Sequence, residues 1–305
     1  MEHTKGKIYL LSAFSLAGTS VITGHILTGK LNSFTITTVS LGILLLCLSP
    51  FYYRKVVKTI RLLTNNDWKM ILFQAIFGIF LFRTFLLYGV KLTSTVEAGI
   101  LTGATPAITS LFALIFLKEQ LSVKTAFGIC CTVMGIVLLQ AINLHSLRFS
   151  MEHFYGNLLI LCAASSESSF NILSRKHNTK VSYDNSLSIH PMVQTLLVSA
   201  IAFLLSLIPA YLENPLESIQ TIGLREWVAL VWYGLIVTAV AFVFFFEGVK
   251  RCSPYTIAAF SGMIPFTSML LSLFFLKETI GGIQWLGGFL IIFSMLLIGT
   301  QQKTK

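Results

Sequence analysis

Apolar runs too long for the core helices of a soluble protein recur along this chain from one end to the other. Lipid hydrocarbon is about 30 Å thick and is crossed by about 20 apolar residues in a helix. Within it every backbone N–H and C=O must be satisfied internally, so helices are the expected spanning element. The pattern predicts spans at roughly 8–28, 33–53, 69–90, 95–117, 123–142, 154–174, 187–209, 226–247, 254–276 and 281–300. Ten spans use roughly 200 residues of the 305, leaving short loops and no room for a separate soluble domain. Only 11% of residues are charged and the mean hydropathy is +0.80, whereas a soluble chain carries about a quarter charged residues.

The formal net charge of +10 raises a nucleic-acid partner, but the basic residues lie in loops between apolar runs, where a membrane reading accounts for them. Five cysteines, most of them inside spans, make neither a disulfide framework nor a metal-ligand spacing. The first apolar run is followed at once by others and lacks a small-x-small cleavage site, so it reads as a retained helix.

With the N-terminus placed in the cytoplasm, sixteen of the 22 Lys and Arg residues fall inside and five outside, with Arg83 within a span. Such a bias sets both termini in the cytoplasm. Internal similarity adds a symmetry. Residues 82–140 align without a gap onto 241–299, with 15 identities in 59 positions. Gly89-Val90-Lys91 meets Gly248-Val249-Lys250, Gly103 meets Gly262, Pro106 meets Pro265, Leu117-Lys118-Glu119 meets Leu276-Lys277-Glu278, and Gly128 meets Gly287. One copy holds five spans, an odd number, so the second enters the membrane inverted. The expected fold is all-α integral membrane, ten transmembrane helices as two inverted five-helix repeats, 1–146 and 147–305. Inverted repeats of this kind belong to secondary transporters, whose site lies near the midplane between the halves.

The repeated pattern of a Pro in the fourth span, an acid closing the next short loop, then a Gly-rich fifth span (Pro106, Glu119, Gly128 and Gly135; Pro265, Glu278 and Gly287) resembles the EamA-type members of the drug/metabolite transporter superfamily. Ser294 replaces the second glycine in the later copy, and Ser165-Ser166-Glu167-Ser168-Ser169 stands where such proteins often carry an aromatic residue in the sixth span. The resemblance implies export or exchange of small metabolites across the plasma membrane. It also implies a central site lined by the first, third, fourth, sixth, eighth and ninth spans.

Charge inside a bilayer is costly and usually functional, which singles out Arg83 and Glu167. Counted from Lys91 and Arg175, the two lie within about 6 Å in depth on spans of opposite halves. Glu167, Asn171 and Ser174 share one helical face, a polar stripe suited to an aqueous cavity. The other reading is a structural ion pair between the halves. Gln74 suits either a cavity or helix–helix hydrogen bonding. Pro106 and Pro265 are expected mid-span, as breaks whose freed carbonyls line the cavity, as hinges for rocking, or as kinks that serve packing only. Gly99 and Gly103 read as a packing face, and Glu119 and Glu278 as carboxylates favourable to the helices they precede. His25, Glu97 and Glu247 read as interfacial.

These residues predict a secondary transporter, exporter or exchanger, of small polar or amphipathic metabolites such as amino acids, working by alternating access. Expected partners are the metabolite, the lipid bilayer and a proton as coupling ion; no cofactor, metal or catalytic residue is expected. No P-loop, HExxH or GxSxG pattern occurs. The rival readings are a membrane-embedded enzyme, which needs a nucleophile–base or metal set, and a non-transporting receptor or scaffold.

Overall fold

The structure, a computed structural model, describes residues 2–92, 101–118, 121–140, 151–183, 189–275 and 281–299. Among them the chain forms ten rods. They are α1 (Glu2–Thr28), α2 (Ser33–Ile60), α3 (Asn65–Leu92), α4 (Thr105–Phe116), α5 (Val123–Gln140), α6 (Met151–Tyr183), α7 (Pro191–Leu212), α8 (Leu224–Arg251), α9 (254–275) and α10 (Gly282–Gly299). A short helix, Pro215–Gln220, joins α7 to α8. Five rods (α1 from Thr4, α2, α3, α7 and α8) are long and apolar enough to cross a membrane by themselves. With 33 residues, α6 is the longest rod yet is not one of these, because its middle is a run of serines around Glu167. A helix that polar is stable in lipid only when neighbouring helices enclose it.

The repeat is written in the helix boundaries. Shifted by 159 residues, the helix starts Asn65 and Val123 become the helix starts Leu224 and Gly282. Both α3 and α8 widen into π-helical turns, Ile76–Leu81 and Trp232–Val240, that end at the same repeat position. Packing obeys the same exchange: α1 lies on α8 and α9 as α6 lies on α3 and α4, while α2 pairs with α7, α4 with α9 and α5 with α10. Gly248 sits against Leu10 and the Gly6 carbonyl, and Gly89 sits against Ile160 and the Gly156 carbonyl. The two contacts are copies of one another.

Of the readings open for the two prolines, the helices show the break, with Pro106 and Pro265 each in the first turn of a restarted helix. The chain turns at Gly103-Ala104 and restarts at Thr105, and α9 is broken at Gly262 into Pro254–Ser261 and Met263–Phe275. Proline lacks an N–H, and the first turn of a helix has no use for one. The helix that holds the sixth predicted span runs on to Tyr183, as α2 runs on past residue 53 to Ile60. Glu97, Gly99, Glu119 and Glu278 lie outside the described residues, as does the side chain of His25.

Ties between the halves occur at both ends of the bundle. At the Lys30 end, Glu213 follows the last turn of α7 and reaches the start of α2. It accepts from the Phe34 and Thr35 N–H groups at 3.3 and 2.8 Å, the Thr35 hydroxyl at 2.9 Å and the Tyr88 hydroxyl at 3.2 Å. The residue before α2, Asn32, makes no side-chain cap of its own. A carboxylate from the second half therefore satisfies orphan N–H groups of the first. Lys30 and Glu226 pair there at 2.8 Å. At the Arg251 end, the guanidinium bridges Glu2 at 3.0 Å and Glu247.

Candidate functional site

The site is built where α3 and α6 cross. Gly78 faces Phe170, and Gly89 faces Ile160 and the Gly156 carbonyl, so the helices run antiparallel with Arg83 level with residues 164–165. Glu167 is then only two to three residues away along the axis, about 4 Å at 1.5 Å per residue. This agrees with the depth read from the flanking charges.

Arg83 begins just after the π-helical turns of α3 and is buried. Its Nη1 donates to Ser40 Oγ of α2 at 3.1 Å and its Nη2 to Thr238 Oγ1 of α8 at 2.6 Å. The Tyr233 ring lies 4.3 Å beneath the guanidinium. Every observed contact is thus neutral: two hydroxyls and a π face. Thr238 in turn donates to the Tyr233 carbonyl five residues back, a reach that fits the π-helical winding at 232–240. A buried guanidinium held only by neutral groups keeps a large desolvation penalty, which a carboxylate offsets far better than a hydroxyl.

Ser40 is delivered by a close helix crossing. A β-carbon at Gly234 would overlap the Ser40 carbonyl oxygen, whereas the repeat-equivalent residue of α3 is Ala75. Gly234→Ala must push α2 away from α8. The expected cost is about 1–3 kcal/mol of overpacking, seen as a lower unfolding temperature in detergent.

Glu167 is the central residue of α6 and is only partly buried, between the buried Ser166 and Ser168. Its Oε2 accepts from the Thr105 hydroxyl at 3.3 Å. Thr105 opens α4 directly after the break at Gly103-Ala104, so the break is what carries this hydroxyl to the carboxylate. The same junction is fixed by Ser168 Oγ, which donates to the Thr105 carbonyl at 3.2 Å and accepts from Thr109 Oγ1 at 3.0 Å. No ion pair joins Arg83 to Glu167 among the described residues. Each charge instead has its own neutral partners on different helices.

The remaining expected residues divide. Asn171, one turn along from Glu167, is buried, and its Nδ2 has no partner among the described residues. Ser174 is buried on the same stripe. Gln74 stands nine residues before Arg83, where its Oε1 accepts from Gln194 Nε2 of α7 at 3.0 Å and its own Nε2 lacks a described partner. It joins α3 to α7 and does not touch the Arg83 cluster. Between Glu167 and the Arg251 end, Phe170 stacks on Phe242 and Phe245 at 5.3 and 5.0 Å. Phe242 is the repeat counterpart of Arg83.

Sequence reasoning missed Ser40, Thr238, Tyr233 and Thr105. Single hydroxyls in apolar spans carry no signal by themselves. The usable hint was Arg83, whose buried charge demanded such partners.

The EamA-like transporter family matches the chain twice, over residues 4–140 and 154–300. The chain belongs to the EamA-like transporter family. It is 27% identical over 287 residues to the uncharacterized transporter YetK of Bacillus subtilis, covering 92% of this chain and 82% of that one. It is also 34% identical over 131 residues to a WAT1-related protein of Arabidopsis thaliana, covering 43% of this chain and 34% of the relative. A crystal structure with 21% identity superposes with a TM-score of 0.73 over 96% of both chains, which shows the shared fold. This EamA-family chain is a multi-pass membrane transporter and not an enzyme.

Proposed function

We propose that the chain is a secondary transporter, an exporter or exchanger of small polar or amphipathic metabolites such as amino acids, and that it works by alternating access. The observation that carries this reading is a buried Arg83 whose contacts among the described residues are all neutral, about 4 Å in depth from Glu167 on a helix of the other half. A zwitterion suits such a pair: its carboxylate supplies the counter-charge Arg83 lacks, and its ammonium meets Glu167. In its absence Glu167 takes a proton, which makes the proton a coupling ion. Asn171 and Ser174 line the route from Glu167 toward the Arg251 end, while Gln74 holds α3 to α7. The breaks before Pro106 and Pro265 are the hinges about which the halves rock. Both termini face the cytoplasm of a plasma (inner) membrane, in keeping with the distribution of Lys and Arg.

Flux of labelled compounds into proteoliposomes, with and without a proton gradient, tests the reading. Amino acids should be carried at least tenfold faster than analogues lacking either the carboxylate or the amine, and a gradient should accelerate them. Equal flux of all three classes would overturn the zwitterion assignment.

A further inference from the structure

The end of α2 carries a cation-lined groove that the transport site does not use. The helix has 28 residues, about 42 Å at 1.5 Å per residue, so it outruns a hydrocarbon core of about 30 Å. Past Pro50 its sequence turns basic, with Arg54, Lys55 and Lys58 followed by Arg61 just beyond the helix. Tyr53, Arg54, Val57, Lys58, Arg61 and Leu62 line a groove of about 380 Å³. Arg54, Lys58 and Arg61 recur at four- and three-residue spacing and are all exposed.

Nothing described in the chain neutralises them. The nearby Asp67 spends its carboxylate on the N-cap of α3, accepting from the Thr64 N–H at 2.9 Å and hydroxyl at 2.7 Å. At neighbouring His190, burial, Lys55 and Lys250 hold the imidazole below its usual pKa against the opposing pull of Glu247. The repeat does not carry these cations over. Shifted by 159 residues, Arg54, Lys55, Lys58 and Arg61 become Glu213, Asn214, Glu217 and Gln220. Glu213 turns back to cap α2, whereas Arg54 stays exposed.

We propose that this groove binds the phosphate of an anionic phospholipid. Basic clusters next to a membrane-spanning helix attract such headgroups. A lipid is favoured over free phosphate because the groove opens onto apolar surface. Leu46, 79% exposed, lies two turns before Tyr53, 66% exposed, with Phe51, 83% exposed, between them. Acyl chains would lie along that surface.

The test is native mass spectrometry of the full chain in detergent, titrated with phosphatidylglycerol, with phosphatidylcholine, and with inorganic phosphate. Phosphatidylglycerol should bind selectively. Arg54→Gln/Lys58→Gln/Arg61→Gln should weaken it by about fivefold per cation, roughly a hundredfold in all. Lys5→Gln/Lys124→Gln/Lys176→Gln, which removes the same charge elsewhere, should change it less than twofold. If the first triple variant fails to fold, Arg61→Gln alone should still cost about fivefold. Equal loss in both triple variants, no loss in the first, or displacement of the lipid by millimolar phosphate would overturn the proposal.

Discussion

Replacing Glu167 with Gln abolishes or uncouples transport while leaving the protein folded. The amide is isosteric and can still accept from the Thr105 hydroxyl, so the junction of α4 and α6 held by Ser168 and Thr109 is preserved. What is lost is a group able to bind a cationic amine in one state and a proton in another. A carboxylate at this depth in a membrane is also costly to keep charged, so the variant should melt at or above the wild-type temperature. Gradient-driven flux should fall at least a hundredfold. Residual flux that no longer responds to the gradient would identify Glu167 as the coupling residue. Full gradient-driven flux in this variant would remove it from the mechanism.

The second large effect falls on Arg83. Arg83→Met keeps most of the stem volume and removes the guanidinium. Neither hydroxyl partner is stranded, because Ser40 still donates to the Thr37 carbonyl at 3.1 Å and Thr238 to the Tyr233 carbonyl at 2.8 Å. The fold should therefore survive, as judged by monodispersity and unfolding temperature. Hydrogen bonds to charged groups contribute about 1.5–3 kcal/mol, so substrates with a carboxylate should lose between about tenfold and a hundredfold in affinity. Substrates lacking one should be carried as before. Arg83→Lys keeps the charge but not the planar fork that spans Ser40 and Thr238, and should recover only part of the loss. Equal damage to both substrate classes would make Arg83 a structural residue.

The sequence revealed what the bilayer dictates and hid what side chains negotiate among themselves. Ten helices and their inverted duplication were readable because lipid tolerates little else, and because Gly89, Gly103 and Pro106 return as Gly248, Gly262 and Pro265. The depth agreement of Arg83 and Glu167 was readable too, since helix rise is constant. The break before Pro106 is one of several readings its sequence leaves open, because proline signals an interruption without saying on which side the helix resumes. Polar residues after Arg175 mark the end of the sixth span, while the helix that holds it runs on to Tyr183. The neutral setting of Arg83 was beyond reach, as it depends on hydroxyls 43 residues upstream and 155 downstream. Glu213 drew no notice, yet it caps a helix 178 residues away.

Locking the Lys30 end tests the alternation of the two halves most directly. In a background without the native cysteines, Thr35→Cys and Glu213→Cys place a thiol on each half where the Glu213 carboxylate now meets α2. Joining them with a short cleavable bismaleimide holds that end closed. Transport in proteoliposomes should stop on cross-linking and return when the linker is cut. Undiminished flux through the cross-linked protein would contradict a mechanism in which the halves part at that end.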